Sequence, residues 1–313
     1  WAKAAWGSLF GQWILGAAVF NHYTNAKFDA KLTLRIIENF GITTFCSPPT
    51  AYRMFAQLPL GDYDLSALRH CTSAGEPLNP EVIRVWEDAT GLKIYDGYGQ
   101  TETVNLCANY RCMPVKIGSM GLPTPGFDVR VVDDDGKETQ AGDEGYVVVK
   151  VKPKRPVGLF KEYWKKPDET KSVFQGDYYY TGDKAYRDED GYLWFVGRAD
   201  DVILSAGYRI GPFEVESALV EHPAVAEAAV IAAPDEVRGE IVKAFVILAE
   251  DYSPSEELTK ELQDHVKNVT APYKYPRAIN YVKDIPKTIS GKIRRGELKR
   301  TEWEAHKKDK EGN

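Results

Sequence analysis

Three short stretches carry residue types that could do phosphate chemistry. The first, Asp96 to Glu102, reads D-G-Y-G-Q-T-E. Tyr98 offers an aromatic face for stacking on a base, and Gly99 a point of close approach. Thr101 offers a hydroxyl for phosphate, and Glu102 a carboxylate of the kind that holds Mg2+ through one or two ligands. The same residues also suit a tight strand-to-helix turn capped by Thr101. The second stretch, T-G-D at Thr181 to Asp183, sets a carboxylate beside a glycine turn, which suits a ribose diol or a plain β-turn. The third, Pro286 to Lys292, puts Gly291 and Lys292 on a basic loop. A flexible lysine is a movable point charge for negativity developing on phosphate or carboxylate, and equally an ordinary solvated side chain.

A fourth stretch, Gly197 to Gly211, reads G-R-A-D-D-V-I-L-S-A-G-Y-R-I-G. It runs from Arg198 through the adjacent acids Asp200 and Asp201 into an apolar run, then turns at Gly207 before Arg209. A solvated acidic pair between ordered segments has little packing to break, as a hinge requires. Gly and Asp clusters also mark plain turns into hairpins.

The elements that must hold these stretches follow from periodicity. Trp1 to Phe20 reads as a buried helix with a short strand around Ala17 to Asn21. Phe28 to Phe40 is an amphipathic helix with Leu32, Ile36 and Phe40 on one stripe, Asp29 near its start and Gly41 as its stop. Ile42 to Cys46, Leu68 to Ala74 and Leu92 to Tyr98 read as strands. The helical segments Ala51 to Ala56 and Pro80 to Gly91 lie between them, with Val82, Trp86 and Ala89 on one face of the second. That order describes a parallel sheet with crossover helices. Ligands of such sheets bind beyond the carboxyl ends of the strands, where G-E-P-L (Gly75 to Leu78) and G-Y-G-Q-T-E fall. After Met113, short alternating runs between D-D-D-G and A-G-D-E-G predict antiparallel β structure of barrel type. The last hundred or so residues predict a compact α+β unit: a strand at Val202 to Leu204, a helix from Pro212, strands at Ala226 to Ala232 and Val242 to Leu248, a helix from Pro254 to Val269 with Leu258, Leu262, Val266 and Val269 on one face, a strand at Ile279 to Val282, and a last helix from near Arg294.

The bulk properties narrow the class. A chain of 313 residues suggests two domains, or one large and one small. It starts inside a structured segment with no initiating Met, as a fragment lacking its N-terminal portion would; a targeting peptide is then not visible. The net charge of −6 does not suggest a nucleic-acid partner. From Lys267 onward, however, 13 Lys/Arg stand against 6 Asp/Glu, a basic segment that can attract a polyanionic ligand. Cys46, Cys71, Cys107 and Cys112 form no C-x-x-C pair and fit a reducing compartment. No apolar run reaches transmembrane length.

In conjunction, and in this order and spacing, G-E-P-L, G-Y-G-Q-T-E-T, Y-T-G-D, G-R-A-D-D-V-I-L-S-A-G-Y-R-I-G-P-F-E-V-E and P-K-T-I-S-G-K resemble the adenylate-forming superfamily of acyl-CoA synthetases, nonribosomal peptide adenylation domains and luciferases. The resemblance covers essentially the whole chain. P-D-E-V-R-G-E-I-V-K-A-F-V and H-V-K-N-V-T-A-P-Y-K-Y-P-R look most like the medium-chain acyl-CoA synthetases. One departure is large: the family's Ser/Thr/Gly-rich phosphate loop lies upstream of this sequence.

The resemblance implies the C-terminal part of a large parallel-sheet plus β-barrel domain over residues 1–199, then a small mobile α+β domain over residues 200–313. It implies that Gly75, Glu76 and Pro77 line the adenine and ribose side. Asp96, Gly97, Tyr98, Gly99, Gln100 and Thr101 would hold adenine and α-phosphate, with Glu102 on Mg2+. Asp183 and Arg198 would meet the ribose, Arg209 a phosphate, and Lys292 the carboxylate and α-phosphate oxygens during adenylation. Ala206, Gly207 and Tyr208 would meet the pantetheine arm of CoA, and Arg238, Lys267 and Tyr275 its nucleotide end. Asp200 matches the family's pivot. Lys3, Trp6, Cys46 and Gly99 would line the acyl pocket, since acetate-selective relatives carry Trp where this chain has Gly99. The implied activity is an ATP-dependent carboxylate:CoA ligase acting through an acyl-adenylate on medium-chain, branched or aromatic acids. Its expected partners are the acid, ATP, Mg2+ and CoA, in cytoplasm or mitochondrial matrix, with homo-oligomer assembly left open. The alternatives are adenylation for a carrier-protein thiol and an inactive ligand-binding module.

Overall fold

Proline opens half of the helices in the computed structural model, which describes residues 9–26, 28–288 and 292–311. The chain begins with the single turn α1 (Gly11–Ile14) and continues through α2 (Ala30–Asn39), β1 (Thr44–Ser47), α3 (Pro49–Ala56), β2 (His70–Ala74), α4 (Pro80–Thr90), β3 (Ile94–Gln100), β4 (Val104–Ala108) and β5 (Leu122–Pro123). Pro49 and Pro80 take the first helical position, where a missing N–H costs no hydrogen bond. The Asp29 carboxylate caps α2 by accepting from Leu32 N, and Gly91, in the left-handed region at φ 71°, ends α4.

These five strands form one sheet in the order β1-β2-β3-β4-β5. β1, β2 and β3 are parallel, with Cys46 opposite Thr72 and Ser73 opposite Asp96, as the strand–helix alternation predicts. β3 does not hand over to a helix. Thr103 Oγ1 accepts from Gln100 N–H at 2.9 Å and donates to the Val104 carbonyl, and the chain returns as the antiparallel β4. The sequence G-Y-G-Q is therefore part of a strand that outruns its parallel partner, which ends opposite Gly97. The core of this layer is aromatic: Tyr52, Phe55 and Trp86 are fully buried and meet edge to face or tilted at 5.2–5.9 Å. Each side chain of that size contributes about 1.5–3 kcal/mol on burial.

Three expectations fail here. Among the described residues, Phe10, Trp13, Ile14 and Leu15 are exposed, and no strand follows at 17–21. In α2 the buried stripe is Ala30, Leu34 and Ile37, whereas Leu32 and Phe40 are exposed. The helix carries two apolar stripes, and periodicity alone does not say which one meets the core. Likewise α4 buries Val82, Ile83 and Trp86 but leaves Ala89 outside.

The middle of the chain contributes β6 (Val129–Val132), β7 (Glu144–Lys150), α5 (Pro167–Val173), β8 (Phe174–Gln175), β9 (Tyr178–Arg187) and β10 (Leu193–Arg198). They form a sheet in the order β10-β9-β7-β6, with β8 on β9. Then come β11 (Ile203–Ser205), β12 (Tyr208–Ile210), α6 (Pro212–Val220), β13 (Val225–Asp235), β14 (Gly239–Leu248), α7 (Glu256–Val269), β15 (Ala278–Tyr281) and α8 (Arg295–Glu311). The third sheet runs β12-β11-β14-β13, with β15 parallel to β14. Leu258, Leu262 and Val266 of α7 are buried against it, while Val269 is exposed. Its charges are also tied down: Arg295 grips Glu216 with two hydrogen bonds, Nε to Oε1 at 3.0 Å and NH2 to Oε2 at 2.5 Å.

The chain divides into two compact units. The first is Trp1–Asp143, Val147–Thr181 and Tyr186–Trp194; the second is Glu144–Tyr146, Gly182–Ala185 and Phe195–Asn313. The architecture is mixed α/β, a sheet-based larger part followed by a small α+β part.

Candidate active site

A cleft of about 1770 Å3 opens in the first unit. Its apolar lining includes Ile36 of α2, Phe40 just after that helix, Phe20, and Phe45 and Cys46 of β1. Two residues of the Leu32, Ile36 and Phe40 stripe, Ile36 and Phe40, therefore line the cleft. The carboxyl ends of β2 and β3 also line it, with Ala74, Asp96, Gly97, Gln100, Thr101 and Glu102. Val157 to Phe160 complete the lining named here.

The polar groups of this lining are held by specific partners. The Glu102 carboxylate accepts from the Tyr163 hydroxyl at 3.0 Å, and its carbonyl accepts from Phe160 N–H at 2.7 Å. Burial, with the Glu102 charge beside it, pushes the Tyr163 phenol up to about 12, so it stays a donor at neutral pH. Gln100 spends both ends of its amide: Nε2 donates to the Thr181 carbonyl at 2.8 Å and Oε1 accepts from Tyr179 OH at 2.9 Å. It locks β3 onto β9 and fixes the turn that carries Thr101 and Glu102. Asp96 Oδ1 accepts from Gly97 N–H at 3.0 Å.

Glu76 is paired with Arg53, whose NH2 lies 3.3 Å from Oε2 and also donates to Thr50 Oγ1 at 2.8 Å. Sequence reading missed Arg53 and Tyr163, since their partners lie 23 and 61 residues away. Gly75 sits at φ 116°, which only glycine adopts readily, directly before Glu76 and Pro77.

Gly99 sits where two strands cross closely. A Cβ there would stand 1.7 Å from the Val104 carbonyl oxygen, and Val104 itself sits at φ 54°. The glycine is required by the close crossing of β3 and β4. Of the other expected acyl-pocket residues, Cys46 lies on the cleft, and Lys3 and Trp6 lie outside the described residues. No cluster of three or more His, Cys, Asp or Glu able to hold a metal occurs among the described residues. Glu102 alone suits a cation whose other ligands are phosphates and water.

The second unit gathers the remaining candidates. Asp183 is 5% exposed, and Arg198 Nε approaches it at 3.8 Å while also meeting Asp200 at 3.2 Å. Burial alone would lower the Arg198 guanidinium, and Asp183 and Asp200 more than offset it. Asp201 is held above the usual carboxylate range by burial, which Arg295 only partly offsets. Ala206 and Gly207, at φ 49° and 85°, form the two-residue turn of the β11–β12 hairpin. The Arg238 carbonyl accepts from Ala206 N–H at 3.2 Å, so two loops distant in sequence meet. Tyr208 stacks on Tyr273 at 4.3 Å and 18°. Lys267 lies 4.3 Å over the Tyr275 ring and is also paired with Asp264. Arg209 is on β12, opposite Leu204. Lys292 is exposed, and its main chain is joined twice to Thr288: its N–H donates to Oγ1 at 3.1 Å and its carbonyl accepts from Thr288 N–H at 2.8 Å. Gly291 lies outside the described residues.

Comparison with known proteins gives a consistent picture. Residues 3–164 match the model of the AMP-binding enzyme family, and residues 214–292 that of the AMP-binding enzyme C-terminal domain. The chain is 54% identical over 305 residues to acyl-coenzyme A synthetase ACSM3, mitochondrial, of Mus musculus, covering 97% of this chain and 52% of the relative. It thus spans about half the length of the curated relatives it matches. Among solved structures, the anthranilate CoA ligase AuaEII in complex with anthranoyl-AMP superposes with a TM-score of 0.88 at 38% identity, covering 96% of this chain and 57% of the other. A benzoate CoA ligase from Burkholderia xenovorans LB400 gives 0.79 at 33%, covering 91% and 56%.

Proposed function

The chain belongs to the family of AMP-binding enzymes, and on that premise we propose that it is the larger-domain remainder and C-terminal domain of an ATP-dependent carboxylate:CoA ligase. The carboxylate attacks the α-phosphorus of ATP, giving acyl-AMP and pyrophosphate. The CoA thiol then attacks the acyl carbon and AMP leaves. The observation that carries this reading is the Thr101–Glu102 turn at the carboxyl end of the sheet. It sets a hydroxyl and a fixed carboxylate on a cleft that is also lined by Phe20, Ile36, Phe40 and Phe45. Such apolar lining suits an acyl chain or aromatic ring, and Thr101 and Glu102 suit a phosphate with its cation. Mg2+, held by Glu102 and substrate phosphates, would neutralise charge on the transferring group.

The protein's own part is positioning and charge stabilisation. Gly75, Glu76, Pro77 and Asp96 to Thr101 would seat the nucleotide, with Arg53 keeping Glu76 in place. Asp183, held beside Arg198, would accept from the ribose hydroxyls, and Arg209 would meet phosphate. Lys292 would place its ammonium between the carboxylate and α-phosphate oxygens in the first step. Ala206, Gly207 and Tyr208 would serve the pantetheine arm in the second, with Arg238, Lys267 and Tyr275 serving the CoA nucleotide. Lys292 and the Ala206–Tyr208 turn belong to one small body yet serve different steps. That body, residues 200–313, would therefore swing about Asp200. The relatives' names carry the word mitochondrial, which supports the matrix as location. No described helix is long and apolar enough to cross a membrane.

The test is CoA-dependent AMP release, measured for C2 to C12 and aromatic acids with a protein spanning the full length of its relatives. Each buried methylene contributes about 0.8 kcal/mol, so acids longer than acetate should lead, with neighbouring lengths separated by roughly 10- to 200-fold at most. AMP release that ignores CoA, or acetate as best substrate, would overturn the reading or its acyl preference respectively.

A further inference from the structure

The loop that follows Pro156 holds Glu102 at two points, by main chain and by side chain. Phe160 N–H binds the Glu102 carbonyl at 2.7 Å, and three residues later the Tyr163 hydroxyl binds Oε1 at 3.0 Å. Tyr163 is itself fixed from both sides. Its ring packs on Phe160 at 4.7 Å, its N–H donates to Thr170 Oγ1 at 2.9 Å, and its carbonyl accepts from Lys166 N–H at 3.1 Å. Phe160 in turn packs on Phe174 and Tyr179, and Tyr179 binds Gln100 on the strand that leads to Glu102. A ring of contacts thus runs from Gln100 through Tyr179, Phe160 and Tyr163 back to Glu102.

A carboxylate offers about four lone-pair directions. One of those on Oε1 is taken by the phenol, which leaves the others available to the cleft. A glutamate free to rotate would lose rotamer freedom on binding a cation. Here the rotamer is set before any ligand arrives.

We propose that Tyr163 is a positioning residue for the cation–phosphate site: its hydroxyl holds the Glu102 carboxylate in the rotamer that receives a divalent cation bound to nucleotide phosphates. This rests on the reading of Glu102 given above, and the experiment separates the two. Tyr163→Phe keeps the ring and its packing and removes the single hydroxyl. Glu102→Gln removes the carboxylate charge.

In the full-length protein, binding of Mn2+ with a non-hydrolysable ATP analogue is followed by the loss of free Mn2+ signal in electron paramagnetic resonance. The Mg2+ dependence of acyl-AMP formation is measured in parallel. Tyr163→Phe is expected to weaken Mn2+ binding in the ternary complex about tenfold, equivalent to about 1.4 kcal/mol. It should raise the half-saturating Mg2+ concentration by a similar factor, more than it lowers kcat at saturating Mg2+. Affinity for the analogue without metal should stay within twofold of the parent. Glu102→Gln should give a larger loss of Mn2+ binding. If Glu102→Gln weakens Mn2+ binding and Tyr163→Phe does not, Tyr163 has no such role and the Glu102 reading stands. If neither variant changes Mn2+ binding, both fail. If Tyr163→Phe lowers metal-free nucleotide affinity, Mn2+ binding and melting temperature together, the hydroxyl is merely structural and the proposal is overturned.

Discussion

Val104 presents its carbonyl oxygen 1.7 Å from the point where a Cβ on Gly99 would stand. The contact is backbone against backbone, so no side-chain rotation can relieve it. Gly99→Ala must displace β4 from β3, and overpacking of this kind costs on the order of 1–3 kcal/mol or more. The measurement is the urea midpoint of unfolding, which should fall with the slope unchanged. Gly99→Trp should reduce expression or stability before it changes acyl preference. A Gly99→Trp protein of parental stability that prefers short acids would restore the pocket role and contradict the hairpin account.

Lys292 serves adenylation alone in the proposed cycle. Removing one preorganised charge donor costs on the order of 2.7–4 kcal/mol, or roughly 10²–10³ in rate. Lys292→Ala should slow acyl-AMP formation by that factor. Supplied with synthetic acyl-AMP and CoA, the variant should make thioester at near the parental rate. Equal damage to both half-reactions would remove the assignment.

Asp200→Pro is expected to give the mirror image. Proline fixes φ near −65° and removes an N–H, and hinge motion is absorbed by a few junction residues. Asp200 is 73% exposed in its side chain and is paired with Arg198, so little packing resists its backbone change. Acyl-AMP should form almost normally while thioester formation fails. Separate rapid-quench assays of the two steps decide, and undisturbed thioester formation would move the pivot elsewhere.

The four cysteines should divide by burial. Cys46 and Cys112 are exposed, whereas Cys71 and Cys107 are buried. Burial pushes the Cys71 thiol up to about 11 and the Cys107 thiol higher still. The thiolate is the reactive form, and at pH 8 its fraction at Cys71 is roughly 10²-fold below that of a free cysteine. Iodoacetamide at pH 8, read by peptide mass spectrometry, should label Cys46 and Cys112 quickly, and Cys71 and Cys107 only after unfolding. Early labelling of Cys107 would contradict its place in the sheet.

Much of this was legible where a signal is local. The Asp29 cap, the prolines opening α4 and α6, and the parallel run from β1 to β3 all follow from neighbouring residues. What was not legible depends on what faces an element. Leu32, Ile36 and Phe40 are as regularly spaced as the stripe that is buried, yet Ile36 and Phe40 line a cleft. Gly99 reads as spare room until Val104 is brought across it. Arg53 and Tyr163 are unremarkable in the sequence, because a salt bridge to Glu76 or a hydrogen bond to Glu102 exists only once the chain has folded back.

The double tie between Thr288 and Lys292 has a kinematic consequence. A cation on a loose loop can search for its target by uncoiling the loop. Here both main-chain groups of Lys292 are hydrogen-bonded to Thr288, so Lys292 cannot draw away from Thr288 without losing two hydrogen bonds. The reach of the ammonium is then the length of its own four-carbon stem. Any larger travel has to carry Thr288 along with Lys292, as a tool carries the clamp that holds it.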